Sequence, residues 1–339
     1  MKSEKMRLLL QVLAAGFFFI LTVPVAMVFL LAAEDPGGDD LDSGPKNIPG
    51  KIQTPDTIRV WLEEKEKVVT VDFEGYVSRV VASEMPDTFE EEALKAQSVA
   101  ARTYAMAKIV KYEEKKPDAH PKAPVCNTTH CQVYKTEKKL IADHEEGWED
   151  SGWKKIQKAC KETRGEMLYY GGKLVLQPLF FSSSGGQTEN SEDVFVSALP
   201  YLVSVASPHE EEATHRDEEV EMGMKDFGGK LKAAYPDRDI GTVSRDTIKI
   251  LSRTAGGRVA EIQVGDGADG VLKGTEVRMA AGLSSALFTI SFRDGSIVFT
   301  SSGSGHGVGM SQYGANGMAK EGHTYQEILQ HYYSGTDVG

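Results

Sequence analysis

The sequence predicts a mixed α+β fold, with one body or two lobes, that follows a single N-terminal transmembrane helix. Three observations support this prediction: a long apolar run near the N-terminus, a helical pattern from Glu90 to about Tyr112, and strand pairs joined by glycine turns after residue 167. The chain has 339 residues, which is enough for one large domain or two modest ones with a buried core.

The N-terminal segment carries the clearest targeting signal. Three cations lie in residues 1–7, and an apolar run occupies residues 8–33. This run is longer than the apolar part of a secretory signal and long enough to cross a bilayer as a helix. We expect residues 8–33 to be an uncleaved membrane anchor, with residues 1–7 in the cytoplasm because the cations precede it. The alternative is a long signal peptide that is cleaved near residues 32–33.

The rest of the chain is expected to lie outside the cytoplasm, as a linker and a folded domain. Residues 34–56 are rich in Pro, Gly and Asp and lack apolar periodicity, which predicts a flexible linker. Residues 57–339 form the predicted domain. The net charge of −12 argues against a nucleic-acid partner, because phosphate binding needs a basic face.

The first part of the domain combines strands with a long helix. β-branched runs that begin at Thr57 and Val68 predict two strands, and an amphipathic stretch follows. The clearest helical pattern covers residues 90–112, with Asp87 or Thr88 as its predicted cap and acids in its first turn.

The second half of the chain is predicted to be mostly β structure. Strand pairs are expected around three turns: Gly171-Gly172, Gly256-Gly257 and Asp294-Gly295. Short helices are expected at residues 153–162 and 324–333. The acid-rich segment of residues 210–226 is expected to be a solvated loop or insertion.

Five acids lie in residues 84–92, and one of them lacks a local structural role. The three at residues 90–92 fall in the first turn of a helix, where negative charge is favoured, and Asp87 is a candidate cap. Glu84 instead ends an apolar segment just before Pro86, which biases the preceding residue away from helix. Partial desolvation there raises a carboxyl pKa, so Glu84 is a candidate general acid, with a structural hydrogen-bonding role as the alternative.

Two polar, glycine-marked segments offer candidate ligand-binding side chains. The sequence GSGHGVGMSQYG contains His306, Gln312 and Tyr313, and its glycines allow close backbone approach to a ligand or a plain structural turn. It is not a dinucleotide fingerprint. The sequence FFSSSGGQTEN contains Ser183 and Ser184, which we expect to bind a polar ligand or to form a turn, since there is no nucleophile elbow.

The chain has three cysteines, an odd number for a compartment that is expected to be oxidising. Cys126 and Cys131, together with His120 and His130, form a group of the type that binds zinc, although the spacing matches no standard zinc finger. The alternatives are a disulfide between Cys126 and Cys131, or neither. Cys160 is expected to be a buried, unpaired thiol.

Two long segments, VASEMPDTFEEEALKAQSVAARTYA and GSGHGVGMSQYGANGMAKEGHTYQEILQHYYSGT, resemble the stage II sporulation protein D (SpoIID) family. Between them, CNTTHCQVY, TRGEMLYYGGK, FFSSSGGQTEN and LPYLVSVASPHE follow in the order of the family. The resemblance covers nearly all of residues 57–339, and the N-terminal anchor fits it as well.

The resemblance implies a membrane-anchored lytic transglycosylase that acts on peptidoglycan during engulfment of the forespore. Such an enzyme cleaves the MurNAc–GlcNAc β-1,4 bond, with a preference for glycan strands stripped of their stem peptides. The implied partners are a cell-wall amidase and a small membrane scaffold protein. The implied location of the domain is the space outside the mother-cell membrane. We expect the glycan to occupy a cleft, between two lobes if the domain has two.

The resemblance also carries residue assignments. The family's catalytic glutamate falls in the S-E-M-P segment, at Glu84. Some members hold a zinc near the Cys/His loop, which favours a structural zinc at His120, Cys126 and Cys131, while the chemistry itself requires no cofactor. The polar side chains assigned to sugar binding are Gln97, Arg102, Tyr104, Ser183, Ser184, His306, Gln312 and Tyr313.

The alternative function is a non-catalytic, peptidoglycan-binding activator of a cell-wall amidase, because the family is related to proteins described as amidase enhancers. A serine or metal amidase is disfavoured, since the sequence contains neither a nucleophile elbow nor an HExxH motif.

Overall fold

The computed structural model describes residues 52–339. They form a mixed α/β structure with several small sheets, which confirms the predicted fold class. The predicted anchor at residues 8–33 and most of the predicted linker lie outside the described residues. Within residues 52–339, no helix has both the length and the apolar character needed to cross a bilayer.

The strands are short and form five sheets. In chain order they are β1 (Thr57–Leu62), β2 (Lys67–Asp72), β3 (Val125–Cys126), β4 (Leu168–Tyr170), β5 (Lys173–Leu174), β6 (Phe180–Phe181), β7 (Glu218–Gly223), β8 (Ile248–Arg253), β9 (Val259–Val264), β10 (Val271–Lys273), β11 (Phe288–Arg293), β12 (Ser296–Ser301), β13 (Met310–Ser311) and β14 (Thr336–Val338). The sheet orders are β2-β1-β3, β14-β4-β5, β13-β6, β10-β9-β8 and β11-β12-β7.

The α-helices lie between these strands along the chain. In chain order they are α1 (Phe73–Glu84), α2 (Glu91–Glu114), α3 (Glu137–Asp143), α4 (Gly152–Glu162), α5 (Ser191–Val194), α6 (Met224–Ala234), α7 (Gly274–Ala281), α8 (Gln312–Lys320) and α9 (Tyr325–Tyr332).

Helix α2 is the centre of the first lobe, which we define as residues 52–217 and 302–339. Helices α1, α4, α8 and α9 all pack against it. Small side chains make this close packing possible: Ala93, Ala96, Ala100 and Ala101 are all fully buried on α2. The helices that surround α2 come from both ends of the described chain.

The second lobe, residues 218–301, has its own hydrophobic core. Phe299 makes edge-to-face contacts with Phe227 and Phe288, at centroid distances of 5.3 and 5.5 Å. The chain enters and leaves this lobe at adjacent points, because the Asp217 N–H donates to Ser302 Oγ at 3.1 Å. The second lobe is therefore an insertion into the first.

The predicted strand pairs at the glycine turns are confirmed, while the predicted cap of α2 and the predicted loop at residues 210–226 are not. Strand pairs β4-β5, β8-β9 and β11-β12 flank the three predicted turns, and helices occur at both predicted short positions. The cap prediction is wrong: α2 begins after Glu90, which makes no side-chain cap bond. Lys155 Nζ instead fixes the preceding loop by bonding the carbonyls of Asp87 and Phe89. Residues 210–226 are not simply a loop, since they contain β7 and the start of α6.

Candidate functional site

Helix α1 places Glu84 at its last position. Asp72 starts the helix, because its side chain accepts from the Gly75 N–H at 2.6 Å. Met85 ends it in an extended conformation, with φ −127° and ψ 143°, as expected for a residue before Pro86. The Glu84 carboxyl thus lies at the carbonyl end of the helix, where the helix dipole disfavours a negative charge.

The surroundings of Glu84 favour the protonated acid. Its side chain is half-buried, and its Oε1 accepts a hydrogen bond of 2.6 Å from the Val133 N–H. Desolvation raises the pKa of Glu84 to about 7, against the opposing effect of the Val133 hydrogen bond. A carboxyl that holds a proton near neutral pH is suited to general acid catalysis.

Two of the neighbouring acids, Glu91 and Glu92, lie in the first turn of α2, as expected. Lys95 Nζ lies 2.8 Å from Glu92 and 3.5 Å from Glu91, so the first turn of α2 is held by ion pairs. Glu90 is the exposed residue that precedes the helix.

A metal-ligand cluster lies in the loop between α2 and α3. The ligand atoms of His120, Cys126, His130 and Cys131 all lie within 4.8 Å of one another. The distance between His120 Nε2 and His130 Nδ1 is 3.2 Å, and three sulfur–nitrogen distances are 3.3, 3.7 and 3.7 Å. Tetrahedral zinc with usual bond lengths requires about 3.3 Å between nitrogens and about 3.6 Å between nitrogen and sulfur. The four residues therefore fit zinc, with His130 added to the three ligands assigned from the resemblance.

The contacts around the cluster also suit a metal. His120 Nδ1 bonds the Ala123 carbonyl at 2.8 Å, which leaves Nε2 free as a ligand. The pKa of the Cys126 thiol lies well below its usual range, because Cys131 and both histidines hydrogen-bond its sulfur. Both cysteines are free thiols, so the disulfide alternative is not formed. Tyr104, predicted to bind sugar, instead hydrogen-bonds Cys131.

The cluster and Glu84 are linked through three consecutive residues. Cys131 belongs to the cluster, and the Val133 N–H donates to Glu84. Between them, the buried Gln132 donates from Nε2 to Tyr76 Oη at 3.1 Å. The segment that holds the Glu84 carboxyl is thus fixed on one side by the cluster and on the other by the core.

Ser184, one of the two predicted serines, belongs to a second group of residues, which is organised by Glu210. The carboxylate accepts from the N–H groups of Ser184 and Gly185, both at 2.9 Å, and from the hydroxyls of Ser184, Ser207 and Ser311. One carboxylate therefore joins three separate chain segments. The Ser184 hydroxyl is buried and engaged in this network, which leaves it no free donor for a ligand.

His306 lies between two aromatic rings, with centroid distances of 5.5 Å to Phe181 and 5.7 Å to Phe195. Its Nδ1 accepts from the Val308 N–H at 3.1 Å, and the ring also hydrogen-bonds the backbone of Phe180. Burial lowers the pKa of His306 to about 3, and two nearby arginines act in the same direction. The imidazole is neutral at physiological pH, so its role is packing and shape rather than proton transfer.

The remaining predicted residues of the glycine-rich segment contact the loop after α1 and helix α2. Tyr313 is half-buried and meets the Phe89 ring edge-on, at a centroid distance of 5.0 Å. Gln312 Nε2 lies 3.5 Å from Gln97 Oε1. Gln97 is fully buried, and its Nε2 has no partner among residues 52–339. These contacts bring the C-terminal segment next to the chain that follows Glu84.

Arg102 lies in the core and not at a surface that a sugar can reach. Its side chain is 0% exposed, and its Nη2 lies 2.8 Å from Glu74 Oε2. The guanidinium also donates to the Cys160 carbonyl at 3.2 Å. Its predicted role in sugar binding is therefore replaced by a structural one. Cys160 is a buried free thiol, as predicted.

Breaking this buried ion pair is expected to destabilise the first lobe strongly. Glu74→Ala leaves the Arg102 charge buried without a counterion, which costs about 3–5 kcal/mol of unfolding free energy. Urea unfolding at pH 7 measures the loss. Glu221→Ala is the matched control, because its partner Arg293 is 58% exposed and such pairs contribute about 0–1 kcal/mol. Equal losses for the two variants would contradict the structural role.

Sequence reasoning missed three residues of these groups: Gln132, Val133 and Glu210. His130 was in the predicted Cys/His group but not among the three ligands that the resemblance implies. Val133 contributes its backbone N–H, which every residue except proline has, so the residue type gives no indication of this role. Glu210 is the last residue of the segment LPYLVSVASPHE, which resembles the family. The sequence does not indicate that its carboxylate joins separate chain segments.

The SpoIID family model, described as stage II sporulation protein, matches residues 63–170. This range contains Glu84 and the whole Cys/His cluster. Stage II sporulation protein D from Bacillus amyloliquefaciens is 35% identical over 330 residues, which cover 94% of this chain and 92% of the relative. Stage II sporulation protein D from Bacillus subtilis is 36% identical over 302 residues, covering 89% and 81%.

A further relative has a different name. The amidase enhancer of Bacillus subtilis is 28% identical over 305 residues, which cover 76% of this chain but 39% of that protein. The two sporulation proteins match at higher identity and over 92% and 81% of their own length. The chain belongs to the SpoIID (stage II sporulation protein D) family.

Proposed function

We propose that this protein is a lytic transglycosylase that cleaves the MurNAc–GlcNAc β-1,4 bond of peptide-free glycan strands and leaves 1,6-anhydro-MurNAc ends, during engulfment in sporulation. The observation that carries this proposal is Glu84, a half-buried acid with a pKa of about 7 and a single backbone N–H on its carboxylate. Family membership supplies the sporulation context.

One carboxyl group is sufficient for the proposed reaction. Glu84 gives its proton to the glycosidic oxygen as the bond to MurNAc C1 breaks and positive charge develops on the ring. The Glu84 carboxylate then takes the proton from the C6 hydroxyl of MurNAc while that oxygen bonds to C1, so the acid is regenerated and no water is consumed. Glycosidases that use water need a second carboxylate at a fixed separation.

Tyr313 is the proposed sugar contact nearest to the chain that follows Glu84. The Tyr313 ring is half-buried and packs on Phe89, so it offers a partly exposed aromatic face to the apolar side of a sugar ring. Gln312 and Arg102 are excluded from this role, because their side chains are only 7% and 0% exposed.

We assign His120, Cys126, His130 and Cys131 as the ligands of a structural zinc ion. When bound, the ion supplies a crosslink within the loop between α2 and α3. The loop itself holds Gln132 against Tyr76 and presents the Val133 N–H to Glu84.

The proposed location is the outer face of the mother-cell membrane, with residues 8–33 as a single anchor and residues 57–339 facing the intermembrane space. Peptidoglycan glycan strands are the proposed substrate. A cell-wall amidase and a membrane scaffold protein of the engulfment machinery are the proposed partners. The name of the amidase enhancer supports an association with an amidase.

Product analysis tests the proposed reaction directly. Full-length protein in detergent is incubated with peptide-free glycan strands, and the products are identified by mass spectrometry. We expect 1,6-anhydro-MurNAc ends. Products heavier by one water molecule at each cleaved end would instead show hydrolysis, and uncleaved strands with folded protein would overturn the enzymatic proposal.

The similarity to an amidase enhancer favours one alternative, a non-catalytic activator that binds peptidoglycan. This alternative predicts that the protein raises amidase release of stem peptides without producing anhydro ends. Glu84→Gln separates the two functions, because it removes the acid but leaves the surface unchanged. An activator retains full stimulation in this variant, while stimulation that depends on glycan cleavage is lost.

The rate of cleavage is expected to fall as the pH rises above about 7. The acid form of Glu84 must be present to protonate the leaving oxygen, and its pKa is raised to about 7. Above that value, kcat/KM decreases about tenfold per pH unit. Initial rates of anhydro-end formation between pH 5 and 9 check this expectation. A decline that begins near the ordinary pKa of glutamate would contradict it.

A further inference from the structure

Tyr134 is a buried residue beside Glu84 that is neither a ligand of the Cys/His cluster nor a proposed sugar contact. It comes directly after Val133, whose N–H donates to Glu84 Oε1 at 2.6 Å. Its side chain is only 3% exposed. Cys131 and Gln132 fix the chain before Val133, so the contacts of Tyr134 decide how firmly the chain after it is held.

The side chain of Tyr134 is attached to α1, the helix that ends at Glu84. Its ring stacks on the ring of Tyr76, with a centroid distance of 5.3 Å and an interplanar angle of 19°. Its hydroxyl accepts a hydrogen bond of 3.1 Å from Arg79 Nη1, and a charged donor makes this bond stronger than one between neutral groups. Tyr76 and Arg79 both belong to α1. The same helix therefore carries the Glu84 carboxyl and the two groups that hold Tyr134.

The peptide between Gln132 and Val133 is restrained from both sides. Gln132 Nε2 donates to Tyr76 Oη at 3.1 Å, and the Tyr134 N–H donates to the Asn127 carbonyl at 3.3 Å. Tyr76 thus meets Gln132 through its hydroxyl and Tyr134 through its ring. Because both flanking residues are tied to one side chain of α1, the Val133 N–H has little freedom to turn away from the carboxyl that it bonds.

Arg79 joins Tyr134 to a further element. Its Nη2 lies 3.7 Å from Glu137 Oε2 on α3, and its side chain is 23% exposed. A partly exposed ion pair of this length contributes little to stability. The guanidinium has two amino groups in one plane, however, and can direct one to Tyr134 and the other to Glu137. Loss of Arg79 should therefore change the position of Tyr134 more than it changes the stability of the fold.

We propose that Tyr134, held by Arg79, is a positioning residue that directs the Val133 N–H at the Glu84 carboxyl and so keeps that carboxyl aligned for proton transfer. This inference rests on the proposed function. The Cys/His cluster and the Arg79–Tyr134 pair are then two supports of one hydrogen bond, one on each side of Val133. The rate of a reaction between positioned groups depends steeply on such alignment.

Tyr134→Phe tests the proposal, because it removes the bond to Arg79 and keeps the ring that stacks on Tyr76. We expect kcat for anhydro-end formation to fall about threefold to tenfold, with KM little changed. The Val133 hydrogen bond lowers the pKa of Glu84, against the larger effect of burial, so a weaker bond should raise that pKa. The alkaline limb of kcat/KM against pH is therefore expected to move up by about 0.5 unit. Initial rates of full-length protein in detergent on peptide-free strands provide both values.

Tyr333→Phe is the matched control. Tyr333 is a buried tyrosine of the same lobe, 0% exposed, and its hydroxyl donates to the Leu179 carbonyl at 2.8 Å. Its replacement should lower the melting temperature by a similar amount, yet leave kcat and the pH limb unchanged. Arg79→Gln should reproduce the changes seen in Tyr134→Phe. Arg79→Lys can still donate to the hydroxyl and should retain most of the wild-type values.

A Tyr134→Phe variant with the kcat and the pH limb of the wild type would overturn the proposal, and so would equal changes in Tyr333→Phe. If Tyr134→Phe does not fold, Arg79→Gln is judged by the same criteria, because the Arg79 side chain is partly exposed.

Hydrogen exchange of the Val133 amide separates this role of Tyr134 from the proposed reaction. We expect exchange about tenfold faster in Tyr134→Phe than in the wild type, and unchanged in Tyr333→Phe. Absence of anhydro ends in wild-type digests would overturn the proposed reaction, whereas unchanged exchange of the Val133 amide in Tyr134→Phe would overturn the role of Tyr134.

Discussion

Glu84→Gln is expected to lower the rate of anhydro-end formation by about 10²–10⁴-fold. The amide has nearly the shape of the carboxyl, and its oxygen can still accept from the Val133 N–H, which lies 2.6 Å from Glu84 Oε1. It can neither donate a proton to the leaving oxygen nor take one from the C6 hydroxyl. The loss should appear in kcat, with strand binding little changed, in single-turnover assays followed by mass spectrometry.

Glu90→Gln is the matched control for this variant. Glu90 is an exposed acid six positions along the chain and makes no side-chain cap bond. Its replacement should change the rate less than twofold. If Glu84→Gln keeps more than a tenth of the wild-type rate, Glu84 is not the catalytic acid.

The same variant should be more stable than the wild type above pH 7. The folded-state pKa of Glu84, about 7, lies above the unfolded value of 4.5. Its contribution to stability is therefore full below pH 4.5 and is lost as the pH rises through 7. At pH 8, Glu84→Gln is expected to unfold with a free energy about 2 kcal/mol higher, once partial solvent exposure is allowed for. Greater stability together with lower activity is typical of a functional group in an unfavourable environment.

Removal of the proposed zinc ion is expected to have the second large effect. A chelator should lower the unfolding free energy on the order of several kcal/mol, because the loop between α2 and α3 loses its crosslink. The Val133 N–H would then be less well positioned on Glu84, and the cleavage rate should fall by about tenfold to 100-fold. Metal content measures the loss of the ion, and the thermal midpoint measures the loss of stability. Hydrogen exchange of residues 131–133 measures the loosening of the segment that bonds Glu84.

Cys131→Ser should reproduce the effect of the chelator, since Cys131 is one of the four clustered ligands. Cys160→Ala is the control, because that thiol is buried elsewhere and lies 3.1 Å from Ser98 Oγ. It should keep its full metal content. Wild-type protein that contains no metal yet retains protection at residues 131–133 would contradict the structural role of the ion.

The sequence was sufficient where the determinants are local. The turn at Asp294-Gly295 is formed by two residues with positive φ, 48° and 82°, and both residue types tolerate that conformation. Glu84 was singled out by assigning helix-start roles to its neighbours, and its catalytic role stays a prediction. The wrong cap shows the limit of this approach, because Lys155, from a helix over 60 residues away, holds the loop that the side chain of Asp87 was expected to organise.

Long-range contacts could not be predicted. Arg102 has the sequence context of a polar binding residue, and only the fold shows that Glu74 neutralises it within the core. Glu210 lies in an acidic stretch typical of solvated loops, yet it holds Ser184 and Ser311 from distant segments. The local sequence around a charged residue in a polar segment does not show whether that residue is buried in a structural role or exposed to solvent.

The inserted position of the second lobe has a consequence for the order of folding. Residues 218–301 supply their whole hydrophobic core from one continuous stretch and can form it as soon as that stretch is available. The first lobe cannot, because α8 and α9 pack on α2 and the Tyr325 N–H donates to Glu92, 233 positions earlier in the chain. Such distant pairings form slowly. A chain that leaves the ribosome from its N-terminus would complete the inserted unit first and close the Glu84 lobe last, so an inactive precursor would persist until the final helices emerge.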